Sequence, residues 1–390
     1  RRIGGWALAA LAAGLVLAGA GARAERIVLE SYQEDQGLTN LTSQCLVQDP
    51  RARLWICTAN GLFRFDGFRI HAEPLPKEAG GYSYGARVDV SGRLWLLTEG
   101  GVFVRDDGRK DGQDGPAWTE LLKPDGKHLH VTSGQQLELD RQGRVYAIDE
   151  DRLLWTATAA GALGSSLMVQ RMVIPQLQSR PEQLLPMRQR GEALWFGCGS
   201  QLCEWRDGRV QQWGPAQGLP QDVWGQLLVS RDGSLWTRSS RRLARLAPGS
   251  TRFAVVAAPP RQWVYGDNGL AEDEHGLILV LTTRGLAAWN GERWREWTQD
   301  DGLPETPLRG LMFDAEGSLW LGTNARGVHR WIGYGRAEHW TGASGLPAPA
   351  VLDVARDGKG RLWAATANGV AWFDAAARRF RKVKLPTTRP

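Results

Sequence analysis

The residues able to do chemistry in this chain are few and scattered. His128 and His130 stand two apart, a spacing that puts both imidazoles on one face of a strand. A metal site needs further ligands, none is evident beside them, and a solvated strand accounts for the pair. Asp149-Glu150-Asp151 offers carboxylates in a turn, where water is the default partner. Repeated Asp-x-x-Gly turns invite comparison with calcium loops, which need oxygen ligands at alternate positions and a closing Glu. No copy has that set. An Asp that accepts backbone amides two residues on, followed by a Gly at positive φ, explains the turn without metal. The chain contains no Gly-x-Ser-x-Gly elbow, no His-Glu-x-x-His, no phosphate loop and no dinucleotide fingerprint. The sequence therefore predicts no catalytic residue, no metal site and no cofactor.

Four cysteines are the remaining reactive groups. In an exported chain they point to disulfides before metal. Cys198 and Cys203 flank a hairpin turn, and Cys45 and Cys57 lie symmetrically about Arg51, so the predicted pairs are Cys198–Cys203 and Cys45–Cys57. Short loops put their entropic gain at the low end.

The elements around these residues repeat. Leu54-Trp55-Ile56-Cys57-Thr58, an Asn60-Gly61 turn and Leu62-Phe63-Arg64-Phe65 form a hairpin pattern that recurs in eight copies. The period is about 40 to 50 residues, the range of propeller blades. Trp55, Trp95, Trp195, Trp236, Trp320 and Trp363 take the same place; Tyr146 and Leu279 replace Trp in copies three and six. An apolar inner strand precedes each hairpin, an aromatic-ended outer strand follows it, and a Gly-Leu turn leads onward. Four strands make a blade, and a blade cannot bury both faces alone. The expectation is an all-β propeller of seven or eight four-stranded blades, with the Trp residues as wedges between blades. Two strands compete to close the ring, Arg26–Tyr32 and Arg379–Val383.

Binding is expected where the inner strands begin and connecting loops converge. Five residues before each turn stand Gln44, Tyr84, Gln135, Gln183, Asn268 and Arg309, with Gly225 and Leu352 in the other two copies. Six polar residues at one blade position ring the channel mouth. Trp224, Trp263 and Tyr265 add flat surfaces suited to a sugar ring. The plainer alternative is that the polar ring hydrates the channel and the aromatics pack between loops.

Arg1-Arg2, the apolar run Trp6–Ala18 and Ala22-Arg23-Ala24 read as a signal peptide over 1–24, leaving 25–390 as the propeller in the periplasm. The net charge of +6 is modest and carries no dense basic block, so nucleic acid is not expected as a partner. The sequence has no initiator Met and no second hydrophobic span, which makes it readable as part of a longer, membrane-tethered protein.

Taken as a set, the Gly-Leu-Pro turn, Asp-x-x-Gly, Leu319-Trp320-Leu321-Gly322-Thr323 and Asn-Gly-Leu pattern resembles the two-component regulator propeller repeat. Copies one, seven and eight match best, through Leu54-Trp55, Leu319-Trp320 and Leu362-Trp363. The resemblance implies a periplasmic, non-catalytic sensor region ahead of a membrane span and an output domain, a histidine kinase or diguanylate cyclase, that works as a dimer. It also implies oligosaccharides or other small ligands. Many such relatives carry about twice as many repeats. The alternatives are a free-standing secreted binding propeller and a propeller lyase or hydrolase.

Overall fold

The computed structural model describes residues 27–106, 117–159, 166–174, 186–256, 269–335, 340, 342–377 and 379–384; the expected signal peptide at 1–24 lies outside them. The chain divides into two compact units, Ile27–Ala337 and one that includes Glu338–Pro390.

In the first unit seven sheets follow one another, each with its inner strand beside the next. The inner strands are Ser43–Gln48, Ser83–Val88, Leu137–Leu139, Met187–Arg190, Gln226–Val229, Leu270–Glu272 and Leu308–Phe313. The last of these returns to lie beside the first, closing the ring. Blade seven takes only three strands from its own stretch of sequence. Its fourth is Leu29–Tyr32, antiparallel to Val328–Trp331 with Ser31 opposite His329 and Tyr32 opposite Val328. Of the two candidates for closure, the N-terminal strand therefore does the work. The other, Arg379–Lys382, is the outer strand of an eighth sheet, Val351–Lys382, in the second unit. With its fourth place filled by Leu29–Tyr32, blade seven completes a ring of seven blades within the first unit.

Blade centres are apolar through and through. Leu54–Thr58, Leu94–Thr98 and Leu319–Thr323 are buried at every position, as strands covered on both faces must be. Each Trp reaches toward the following blade: Trp55 meets Ala86 and Leu94, Trp95 meets Leu137 and Val145, and Trp320 meets Leu46 and Ile56. Tyr32 stacks on Trp320 at 5.2 Å and meets Phe65 edge-on at 4.9 Å, so the closing strand pins blade seven to blade one.

A burial-satisfying contact accompanies most of the wedges, although the indole N–H of Trp195 has none. The indole N–H of Trp55 donates to Asp49 Oδ2 at 3.1 Å, while Oδ1 takes the turn amides of Arg51 and Arg53 at 3.0 Å each. Trp95–Asp89, Trp320–Asp314 and Trp363–Asp357 repeat it. One carboxylate thus orders the turn and satisfies a buried N–H six residues on, which matters because an unpaired buried donor costs about 1–3 kcal/mol. In blade six, where Leu279 replaces Trp, the Tyr334 hydroxyl donates to Asp273 Oδ2 at 3.2 Å from the next blade. Burial and that carboxylate push the Tyr334 phenol up, keeping it a donor. Blade three carries a second such tie. Asp149, expected in solvent, is fully buried and accepts from Trp155 Nε1 and pairs with Lys123 Nζ, each at 2.8 Å.

The Gly-Leu turns have a steric cause. Gly37 has φ 100° and Gly218 has φ 77°, and a Cβ at either would collide with the carbonyl oxygen of Ile70 or Phe253. Only glycine fits both constraints.

Both predicted disulfides form. Cys45 pairs directly opposite Cys57, with Cα atoms 4.9 Å apart, and Cys198 reaches Cys203 diagonally across its hairpin at 5.8 Å. By loop length, replacing Cys198 and Cys203 with Ser costs about 2 kcal/mol and replacing Cys45 and Cys57 about 3 kcal/mol. Urea unfolding of the two double variants checks that order.

The strand that receives the closing strand, Val328–Trp331, carries a titratable group. His329 is buried, its Nδ1 lies 2.8 Å from Ser31 Oγ, and burial lowers its pKa from 6.5 to about 4. The folded state thus prefers the neutral ring. Above pH 6.5 the residue contributes nothing pH-dependent. Between pH 6.5 and 4 the unfolded chain takes up a proton that the fold refuses, and stability falls by about 3 kcal/mol. His329→Gln should remove that part of the acid slope, read from unfolding curves at pH 7, 5.5 and 4.

Candidate functional site: the channel mouth

Three inner strands begin with the same irregularity. The ladder shifts register between Ser43 and Cys45, between Ser83 and Gly85, and between Leu308 and Gly310. The extra residues are Gln44, Tyr84 and Arg309, each half-buried between two buried neighbours. A bulge re-aims a side chain out of the two-face alternation, so the polar position singled out by sequence is where the strand cannot bury it. The eighth sheet has the same bulge, at Leu352, which is 72% exposed.

Blades seven, one and two are consecutive around the ring, which places Arg309, Gln44 and Tyr84 on one arc. Arg309 Nη2 donates to Gln44 Oε1 at 3.1 Å. The Tyr84 ring lies 4.8 Å from that of Tyr82. Tyr82 in turn is held by its backbone, since Glu99 Oε1 accepts from Gly81 N at 2.7 Å and from Tyr82 N at 3.2 Å. Tyr82 joins the expected residues, and its signal in the sequence is the Tyr-x-Tyr spacing that straddles the bulge.

The remaining expected members fare differently. Gln135 is 6% exposed, inside a short helical turn, Gly134–Gln136, capped by the Ser133 hydroxyl. It is withdrawn from the open mouth because blade three approaches blade two closely there, Arg87 donating to the Gly134 carbonyl. Trp224 is 1% exposed and packs with Leu219, Leu227 and Phe253, so it is a core residue and offers no stacking face. Gln183, Trp263, Tyr265 and Asn268 lie outside the described residues. His128 is exposed beside Glu120, with the His130 ring 5.9 Å away. Among the described residues no group of three or more His, Cys, Asp or Glu is arranged for a metal.

The opposite ends of the inner strands form a cleft of about 430 Å³ lined by Arg231, Glu272, Glu274, Phe313, Glu316 and Tyr334. Its charged groups tie blade six to blade five and brace blade seven internally. Glu272 accepts the Arg231 amide at 2.7 Å, Asp314 meets Arg330 at 2.9 Å, and Glu316 meets Arg330 as well. The second unit has its own hollow of about 520 Å³ against Trp340, Arg356, Lys359, Arg361, Trp372 and Phe373.

The architecture is that of a β-propeller with its ring closed by the N-terminal strand. Similar solved structures include the extracellular domain of the putative hybrid two component system BT3049 from B. thetaiotaomicron, at 15% identity and TM-score 0.61, covering 92% of this chain and 55% of that one. The extracellular domain of BT4673, a putative hybrid two component system from the same organism, matches at 15% identity and TM-score 0.57, covering 92% of this chain and 53% of that one. Virginiamycin B lyase from Staphylococcus aureus matches at 12% identity and TM-score 0.57, covering 78% of this chain and 99% of that one. At these identities the likeness is one of fold, and this chain spans about half the length of the two extracellular domains. No family model and no curated protein matches the chain. The repeat resembles the two-component regulator propeller, and the folds similar to it include extracellular domains of hybrid two-component systems.

Proposed function

We propose that this chain is the periplasmic, ligand-sensing input region of a transmembrane receptor whose output is a histidine kinase or diguanylate cyclase. The observation that supports this best is a difference in coverage. The two sensor-system extracellular domains match 92% of the chain, whereas the lyase matches 78%. The extra share has room for the eighth sheet. Its inner strand, Val351–Arg356, is exposed at every residue, while the equivalent Ser43–Gln48 and Leu308–Phe313 bury half of theirs. Val354 is 59% exposed where Leu46 is 2%. Such a blade is built to be covered, and we read it as belonging to a further ring. Trp340 against Phe373 at 4.3 Å repeats the Tyr32–Phe65 contact of the first ring.

The mechanism is a ligand at the mouth that favours one receptor arrangement over another, and it acts only through a difference in affinity between the two. The reading frame beyond the Pro390 codon tests the proposal. A membrane span followed by a kinase or cyclase domain supports it; a stop codon there contradicts it and favours a free-standing binding propeller.

A further inference from the structure

The mouth arc is made of hydrogen-bond donors. Arg309 offers five N–H groups and no acceptor, and one of them meets Gln44 Oε1 at 3.1 Å. Because that contact requires an acceptor, it fixes the Gln44 amide with its oxygen toward Arg309 and its Nε2 turned elsewhere with two donors. Tyr84 holds the same bulge position in the next blade, its ring 4.8 Å from that of Tyr82 and packed against the core of blades two and three.

Arg309 differs from the arginines of the inner strands and their turns that face a carboxylate, and resembles Arg190 in having neutral partners. Arg188 reaches the Glu138 carboxylate at 3.3 Å, and Arg231 reaches Glu272 at 3.5 Å. Arg190 spends its donors on the carbonyls of Gly233 at 3.0 Å and Leu246 at 3.4 Å. Among the described residues Arg309 has a neutral amide as its partner and pairs with no carboxylate. A half-buried guanidinium loses hydration and recovers it best from an anion held by two parallel N–H bonds. The bulge is what holds it there, since on a regular strand this position would turn into the packed face between blades.

We infer that the channel mouth binds a ligand through a carboxylate group, with Arg309 as its bidentate partner, Gln44 Nε2 as a further donor and Tyr84 against the ligand's body. This rests on the reading of the ring as a ligand sensor and specifies what that sensor takes.

The test uses the exported chain at fixed ionic strength, with thermal shift and calorimetric titration against galacturonate, glucuronate, citrate and succinate. Galactose, glucose and the methyl esters of the uronates serve as neutral counterparts. The expected result is a saturable rise in melting temperature with at least one carboxylate and none with its neutral counterpart. Arg309→Met should weaken that binding by about 10- to 100-fold, the loss of a charge-assisted contact. Without ligand it should melt no lower than the parent, which shows it folded. Arg231→Gln, at the other end of the strands, should bind as the parent does. Silence across all four carboxylates overturns the inference, as does equal binding of the neutral compounds or undiminished binding by Arg309→Met. A span and kinase encoded beyond Pro390 alongside such silence would leave the receptor reading standing and remove this one.

Discussion

A chain that begins at Gln33 should not hold a closed ring. Removing residues 27–32 takes away the fourth strand of blade seven, the buried Ile27 and Tyr32 side chains, and the bond from Ile27 N to Asp301 O at 2.6 Å. Two large buried side chains alone are worth more than about 5 kcal/mol on the scale of core truncations. The exposed edge of Val328–Trp331 then becomes a template for another chain. The expected outcome is loss of the cooperative transition, or a sharply lowered one, with oligomers on size exclusion. Tyr32→Ala is the milder version, at about 3–5 kcal/mol. A truncated chain that melts within a few degrees of the parent would mean that the ring closes some other way.

Trp320→Ala should cost about 3–5 kcal/mol, more than any other single wedge. Its ring fills the seam where the last blade meets the first, between Tyr32 and Phe65, and its N–H satisfies Asp314 at 2.8 Å. Truncation leaves both the cavity and a buried carboxylate with one donor fewer, although Arg330 still pairs with it at 2.9 Å. Trp363→Ala makes the informative comparison. Trp363 makes the same bond to Asp357 at 3.0 Å but is only part-buried, so its loss should cost well under half as much. Urea unfolding of both variants decides this; equal losses would show that the hydrogen bond, and not the seam, is what counts.

Repetition made the fold legible. Eight copies of one hairpin announce blades, because a ring of stacked sheets buries the same large apolar position, Trp in six of the copies, in one after another. Ring closure was only half legible: Leu29–Tyr32 and Arg379–Lys382 look alike as strands, and the choice between them turns on Tyr32 fitting against Phe65 and Trp320, a contact between residues far apart in the chain. The Asp-to-Trp bond is not legible in the sequence, because a six-residue offset crosses a turn and matches neither strand nor helix period. Asp149 misled for a related reason: a charged turn reads as solvated unless the buried Trp155 and Lys123 beside it are in view.

At the mouth the polar position was legible and the burial was not. Gln44, Tyr84 and Arg309 stand on bulges, whereas Gln135 is drawn inward by a short helical turn and Trp224 by the core of blades four and five. Counting back from a turn fixes a register. It says nothing of how a loop folds over the residue it reaches.

On the proposed function, the bulge arc is the sensing end of the ring. If the proposed receptor reading holds, the output of the full-length protein in its native host, measured across a panel of growth substrates, tests this. Arg309→Met, Gln44→Leu and Tyr84→Leu are compared with Arg231→Gln and Glu316→Gln at the opposite end. The three mouth variants should accumulate normally and lose the response to the inducing substrate, while the two variants at the far cleft keep it. Mouth variants that respond as the parent does, or far-cleft variants that fall silent, would contradict it.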